Sequence, residues 1–171
     1  MLLAACGGGG GAKPANEISP VQMQADAAVA SSLIEAERTA IVAYGLAGEH
    51  LRGGARSVAT RFGEQEREHA RAIERALRAL GGTPPPRRRR SEYVAGFPQV
   101  TSADSALRLA LDIENTQVSA YADALGTVAT PSLKATIASV LTTEAEHMSV
   151  ILGRLREPQA PQAFVTGSRP T

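Results

Sequence analysis

A chain of 171 residues carrying a formal charge of +1 has the length of one domain with a real core. Its near balance of charge excludes a bulk electrostatic pull toward nucleic acid or membrane. The single cysteine, Cys6, excludes an intramolecular disulfide and any Cys-x-x-Cys motif, and with it a rubredoxin-type iron site in this chain. Aromatics at 4%, no tryptophan and abundant Ala and Leu favour helix packed on helix.

Residues 1–18 are expected to be a signal remnant and flexible tether. Leu3-Ala4-Ala5-Cys6-Gly7 resembles a bacterial lipobox, and a Gly-rich run follows it. Only five residues precede Cys6, without a charged n-region, so the stretch reads as the end of a longer signal peptide. Cys6 is then the expected lipidation site, and the protein is expected to be extracytoplasmic and anchored by lipid; if the lipobox is chance, it is cytoplasmic. No segment approaches the ~18 apolar residues of a membrane span.

The bundle is expected over residues 19–157. A first helix runs from about Val21 to Arg52, with Ser19 as cap, Pro20 in the first turn and Gly53-Gly54 as stop. Its apolar face reads Ala30, Leu33, Ile34, Glu37, Ala40, Ile41, Tyr44, Ala47 and Leu51, while Glu35 falls on the polar side with Arg38 and Thr39. A second helix runs from about Ala55 to Leu80 and ends at Gly81-Gly82. Its apolar stripe of Phe62, Ile73, Leu77 and Leu80 contains Glu66 and His69, which share a face at i and i+3. Residues 83–101 break the pattern with Pro84-Pro85-Pro86 and Arg87 to Arg90, expected as an extended, solvated connection long enough to cross a bundle.

A third helix spans about Ser102 to Gly126, with inner face Leu107, Ala110, Leu111, Glu114, Val118, Tyr121 and Leu125. The fourth starts at Thr130-Pro131 and stops before Pro158, with inner face Ile137, Val140, Leu141, Glu144, His147, Met148, Ile151 and Leu155. Residues 158–171 are expected to be a flexible tail. The fold class is therefore all-α: an antiparallel four-helix bundle of two helical hairpins joined by a long crossover.

The two hairpins repeat each other. Glu37 and Tyr44 recur as Glu114 and Tyr121 at an offset of 77 residues, and Glu66 and His69 recur as Glu144 and His147 at an offset of 78. With four apolar faces turned inward, four carboxylates and two imidazoles come to one level. Ionised glutamates sharing a dry core repel one another and protonate. Two divalent cations balance four carboxylates, and oxygen with imidazole donors suits iron or manganese, with zinc as a third fit. Tyr44 and Tyr121 are either hydrogen-bond partners of the glutamates or core fillers. His50 lies on the far side of its helix and is left out.

One Glu from each of two helices plus Glu-x-x-His from each of the other two is the pattern of ferritin-like di-metal bundles. The sequence resembles that superfamily, above all its bacterioferritin and rubrerythrin branches, over about Leu33 to Leu155. Glu66-Arg67-Glu68-His69-Ala70 through Ile73-Glu74-Arg75 is similar to the second helix of bacterioferritin, and Glu37, Ala40, Ile41 and Tyr44 to its first. The resemblance implies a dinuclear metal centre, iron above manganese, with Glu66 and Glu144 bridging. It implies Glu37 and Glu114 as terminal carboxylates and His69 and His147 as terminal nitrogens, with no catalytic residue separate from these ligands. Haem is not expected, because Met23 has no evident partner.

The function expected is O2- or peroxide-linked redox, such as iron oxidation or peroxide reduction, with an external electron donor. The alternative is a non-catalytic metal-binding or structural surface lipoprotein. Iron storage ranks below both, since no fifth helix follows Leu155 and a lipid anchor fits a closed cage poorly. A homodimer is compatible with this reading, and nucleic acid is not an expected partner.

Overall fold

The structure, a computed structural model, describes residues 18–167; Cys6 lies outside them. Five helices and no strand occur among the described residues: α1 (Pro20–His50), α2 (Gly53–Ala79), α3 (Arg90–Val94), α4 (Ala103–Thr127) and α5 (Pro131–Leu155). None is long and apolar enough to cross a membrane.

Local chemistry sets the ends. Ser19 and Gln22 form a reciprocal capping box at the start of α1, with Pro20 in its first turn. Two residues, Leu51 and Arg52, separate α1 from α2, and the reversal is completed by Gly53 at φ 54°, a left-handed conformation that favours glycine. Thr130, the N-cap of α5, makes no side-chain cap of its own. Asp26 of α1 does that work instead: its carboxylate accepts the N–H groups of Ala129 at 3.1 Å and Thr130 at 2.7 Å. The carboxylate that satisfies the start of α5 thus comes from the other hairpin.

α1 and α2 form one hairpin, α4 and α5 the other, and α1 packs on α4 as α2 packs on α5. The core divides into two apolar clusters. One gathers Ala30, Leu33 and Ile34 with Ile73, Leu77, Leu133 and Ile137, and so joins the start of α1 and α5 to the end of α2. The other gathers Ala47 and Leu51 with Phe62, Ala106, Ala110 and Ile151 at the opposite end. Neighbouring helices are therefore antiparallel, and the chain leaving α2 at one end must traverse the bundle to begin α4 at the other. This is the architecture that the helical periodicity predicts.

The crossover keeps Arg87 to Arg90 exposed, as expected of a solvated connection, but is more ordered than an extended loop. Arg90 opens the short helix α3, and two of the four arginines pair with α1. Arg88 pairs with Glu35 at 3.2 Å and sits over the ring of Tyr93 at 4.3 Å, while Arg90 reaches Glu49 at 2.7 Å. Tyr93 is buried and donates to Glu35 at 3.3 Å. Arg38, placed on the polar side by periodicity, is also buried: it donates to Glu35 at 2.7 Å, to the Pro85 carbonyl at 2.8 Å and to Glu74 of α2 at 3.1 Å. The prolines exclude helix, so their carbonyls lack helical donors and are free to accept from a side chain.

On α4 the buried apolar positions are Ala106, Leu109, Ala110, Val118, Tyr121 and Ala124, whereas Leu107, Leu111 and Leu125 are half-buried. The described part of the tail, residues 158–167, has no helix but folds back over α4 and α5. Gly167, at φ 73°, approaches so closely that a Cβ there would lie 2.3 Å from the Asn115 carbonyl oxygen.

Candidate metal centre

Between the two apolar clusters lies one polar layer. Glu37, Glu66, Glu114 and Glu144 all have 0% exposure and His147 has 2%. Helical spacing puts them there: Glu37 and Glu114 occupy the inner stripe of α1 and α4, and each Glu-x-x-His places both side chains on the inner face of α2 or α5. Glu68, one residue from His69, is exposed on the outer face, as is Glu146.

The six predicted residues converge into two sets whose donor atoms lie within 4.8 Å of one another. One set is Glu37, Glu66, His69 and Glu144; the other is Glu66, Glu114, Glu144 and His147. Glu66 and Glu144 belong to both. His69 Nδ1 lies 3.0 Å from Glu144, 3.3 Å from Glu66 and 3.7 Å from Glu37. His147 Nδ1 lies 3.2 Å from Glu66 and 3.4 Å from both Glu114 and Glu144.

The tyrosines cross between hairpins. The Tyr44 hydroxyl donates to Glu114 and the Tyr121 hydroxyl to Glu37, so each fixes the outer carboxylate of the partner hairpin. Three further residues support the layer without having been expected. Gln117 donates to Glu66 Oε2 at 3.2 Å, Gln65 lies 3.0 Å from His147 Nε2, and the Phe62 ring stacks on His147 at 3.8 Å. Gln117 carried a signal, since it sits on the inner face between Glu114 and Tyr121. Gln65 carried none, because its register points to the edge of the helix.

Electrostatics here follow from burial and crowding. Burial, together with Glu66 and Glu144, pushes the Glu37 carboxyl well above the usual carboxylate range, against the pull of His69. Burial and the same two glutamates do this to Glu114, against the pull of His147. Burial also works against ionising Glu66, but the His147 and His69 imidazoles on either side hold it down, at about 2. The same carboxylates overcome the burial of the imidazoles, pushing His69 up to about 12 and His147 to about 11. Burial and the neighbouring glutamates raise both tyrosines well above the usual phenol range.

Protons thus supply part of the positive charge that this layer demands, and they leave hydrogen-bonding capacity unused. Glu37 Oε2, Glu66 Oε1, Glu114 Oε2, both oxygens of Glu144 and His147 Nδ1 are buried without a hydrogen-bond partner. Such groups are costly to bury, and all of them face the same small volume. The chemistry of this donor set fits hard or borderline divalent cations.

Comparison with known proteins agrees with the architecture. The ferritin-like domain family matches residues 18–157. A conserved hypothetical protein of Mycobacterium tuberculosis is 24% identical, covering 77% of this chain and 97% of its own, with a TM-score of 0.68. The bacterioferritin-related protein of Bacteroides fragilis, described as a dodecameric thioferritin, is 16% identical over 78% of this chain and 86% of its own, with a TM-score of 0.69. A ferritin-like, diiron-carboxylate protein of Bacillus anthracis is 22% identical over 78% of this chain and 96% of its own, with a TM-score of 0.62. No curated protein matches the chain. By its fold and by the family match across nearly the whole of the described bundle, the chain belongs to the ferritin-like domain family.

Proposed function

We propose that the polar layer holds two divalent metal ions and that the loaded protein carries out O2- or peroxide-linked redox chemistry. The observation that carries this reading is the pair of overlapping donor sets, which share Glu66 and Glu144 and hold the orphaned carboxylate oxygens between them. Glu37 and His69 would complete one position, Glu114 and His147 the other, with Glu66 and Glu144 spanning both. Iron is the expected metal and manganese the second fit; the description of the Bacillus anthracis relative as a diiron-carboxylate protein supports iron.

Two Fe(II) ions held in such a layer would supply two electrons, which with two protons take O2 to hydrogen peroxide or hydrogen peroxide to two water molecules. The chain's own residues govern what surrounds that chemistry. The apolar clusters above and below the layer exclude bulk water. Tyr44 and Tyr121 hold Glu114 and Glu37 in orientation while keeping their own protons, since burial disfavours the phenolates. With a single cysteine and no Cys-x-x-Cys motif, sustained turnover requires electrons from outside this chain. When Fe(II) is itself the substrate, the Fe(III) product must leave or accumulate.

The test is elemental analysis of protein purified with its native metal, followed by anaerobic Fe(II) loading and oxygen-electrode or peroxide-consumption measurements. Two metal ions per chain with uptake of O2 or peroxide is the expected result. Bound metal without turnover of either oxidant would refute the redox assignment, and absence of metal binding would refute the whole reading.

A further inference from the structure

Three of the residues that touch the polar layer have no like counterpart in the other hairpin. At the offset of 77 or 78 residues, Phe62, Gln65 and Gln117 correspond to Val140, Thr143 and Ala40. Building on the two-metal reading, we infer that the two cation positions are unequal. The Glu114/His147 position is the tight one, filled first, and the Glu37/His69 position is the exchangeable one, with Gln65 as the positioning residue that creates most of the difference.

Three observations converge. First, the His147 ring is fixed on two sides. Phe62 stacks on its face at 3.8 Å, and its Nε2–H points to Gln65 Oε1 at 3.0 Å, which leaves Nδ1 aimed into the layer. A hydrogen bond of this kind orients a ligand imidazole and raises its basicity. The residue that matches Gln65 in the repeat is Thr143, whose hydroxyl donates to its own helix at the Ser139 carbonyl, at 3.4 Å. Second, the His69 side chain is 12% exposed against 2% for His147, so water reaches only the first position to any degree. Third, the shared Glu66 is itself polarised. Its Oε1, 3.2 Å from His147, has no hydrogen-bond partner. Its Oε2, 3.3 Å from His69, already accepts from Gln117 at 3.2 Å. The matching Ala40 has nothing to donate to Glu144, whose Oε1 lies 3.0 Å from His69 and whose Oε2 lies 3.4 Å from His147. Each difference favours the His147 side.

Anaerobic titration of the full chain with cobalt(II), followed by d–d absorbance and calorimetry, tests this. Two steps of unequal affinity are expected. Glu37→Ala should remove the weak step and spare the tight one, whereas Glu114→Ala should remove the tight one. Gln65→Leu should weaken the tight step by about 10–100-fold without shifting the metal-free melting temperature by an amount that accounts for it, and Gln65→Glu should restore it. Two equal steps in the wild type, loss of the tight step in Glu37→Ala, or an unchanged tight step in Gln65→Leu would overturn the inference and leave the two-metal reading standing. No cobalt binding at all would overturn both.

Discussion

Tyr44 and Glu114 lie 70 residues apart on different hairpins, yet the phenol of one is the hydrogen-bond donor of the other, and Tyr121 reciprocates with Glu37. Each phenol satisfies one oxygen of a fully buried carboxyl group. Removing one hydroxyl strands that oxygen in a dry layer, a loss of about 1–3 kcal/mol. Tyr44→Phe and Tyr121→Phe are each expected to lower the metal-free melting temperature, by roughly 2–4 °C per kcal/mol for a chain of this length. Both variants should also weaken metal binding at the position whose outer glutamate has lost its donor. Thermal melts with and without metal check this, and unchanged melts would show that the crossing bonds contribute nothing.

The titrating groups of the layer set the pH profile of the metal-free protein. Glu37, Glu114, His69 and His147 all bind protons more tightly when folded than when unfolded. Their contributions are complete below the ordinary values of 4.5 for Glu and 6.5 for His, and are lost as pH rises toward the raised folded values. Glu66 runs the other way: its contribution is present above 4.5 and lost as pH falls toward about 2. The metal-free protein should therefore be most stable in mild acid and lose melting temperature between pH 7 and 9. Metal replaces those protons, so loading should release protons and erase the alkaline loss. A melting series over that range, with and without metal, decides the matter; parallel profiles would contradict it.

Asp26 gives an independent pH signal far from the layer. Burial works against its ionisation, but contacts with Thr130, the N–H groups of Ala129 and Thr130, and Lys134 together hold its carboxyl below the usual range. Because the folded value is lowered, the contribution is full above the unfolded value of about 4 and fades as pH falls through the folded one. Asp26→Ala removes the cap of α5 and should cost about 1 kcal/mol at pH 7. The gap between variant and wild type should shrink in strong acid. A gap of constant size would mean that the side chain matters for packing and not for charge.

Arg38→Met keeps much of the buried stem and deletes the guanidinium that joins Glu35, Glu74 and the Pro85 carbonyl. Leaving those acceptors without their donor should cost about 2 kcal/mol or more. The crossover should loosen with it, seen as faster amide exchange and proteolysis around residues 83–94. Unaltered protection there would show that Arg88, Arg90 and Tyr93 secure the segment without it.

What could be read from the chain depended on whether periodicity carried it. Glu37, Glu66, Glu114 and Glu144 stood out because a carboxylate on an apolar stripe is anomalous, and the duplicated spacing made the anomaly systematic. The bundle and its antiparallel order followed from the same stripes and from the length of residues 83–101. Periodicity fixes a face but not a partner, so it could not say that Tyr44 serves Glu114 and not Glu37. Arg38 and Gln65 were missed for a related reason. Both sit at the boundary of a helical face, where the length of the side chain, not the register of its Cα, decides what it touches. The docking of Arg88, Arg90 and Tyr93 on Glu35 and Glu49 of α1 depends on the path of a non-helical segment, which no helical repeat encodes.

Neither hairpin owns a complete metal position. The first set takes Glu37, Glu66 and His69 from one hairpin and Glu144 from the other; the second takes Glu114, Glu144 and His147 from one and Glu66 from the other. A cation in either place is therefore a non-covalent crosslink between the halves of the molecule. Once both are held, the peptide linking α2 to α4 becomes a tether whose continuity matters little. A chain nicked in residues 83–87 should stay associated when loaded and fall apart more readily when stripped by a chelator, so that quaternary cohesion becomes a direct readout of metal occupancy.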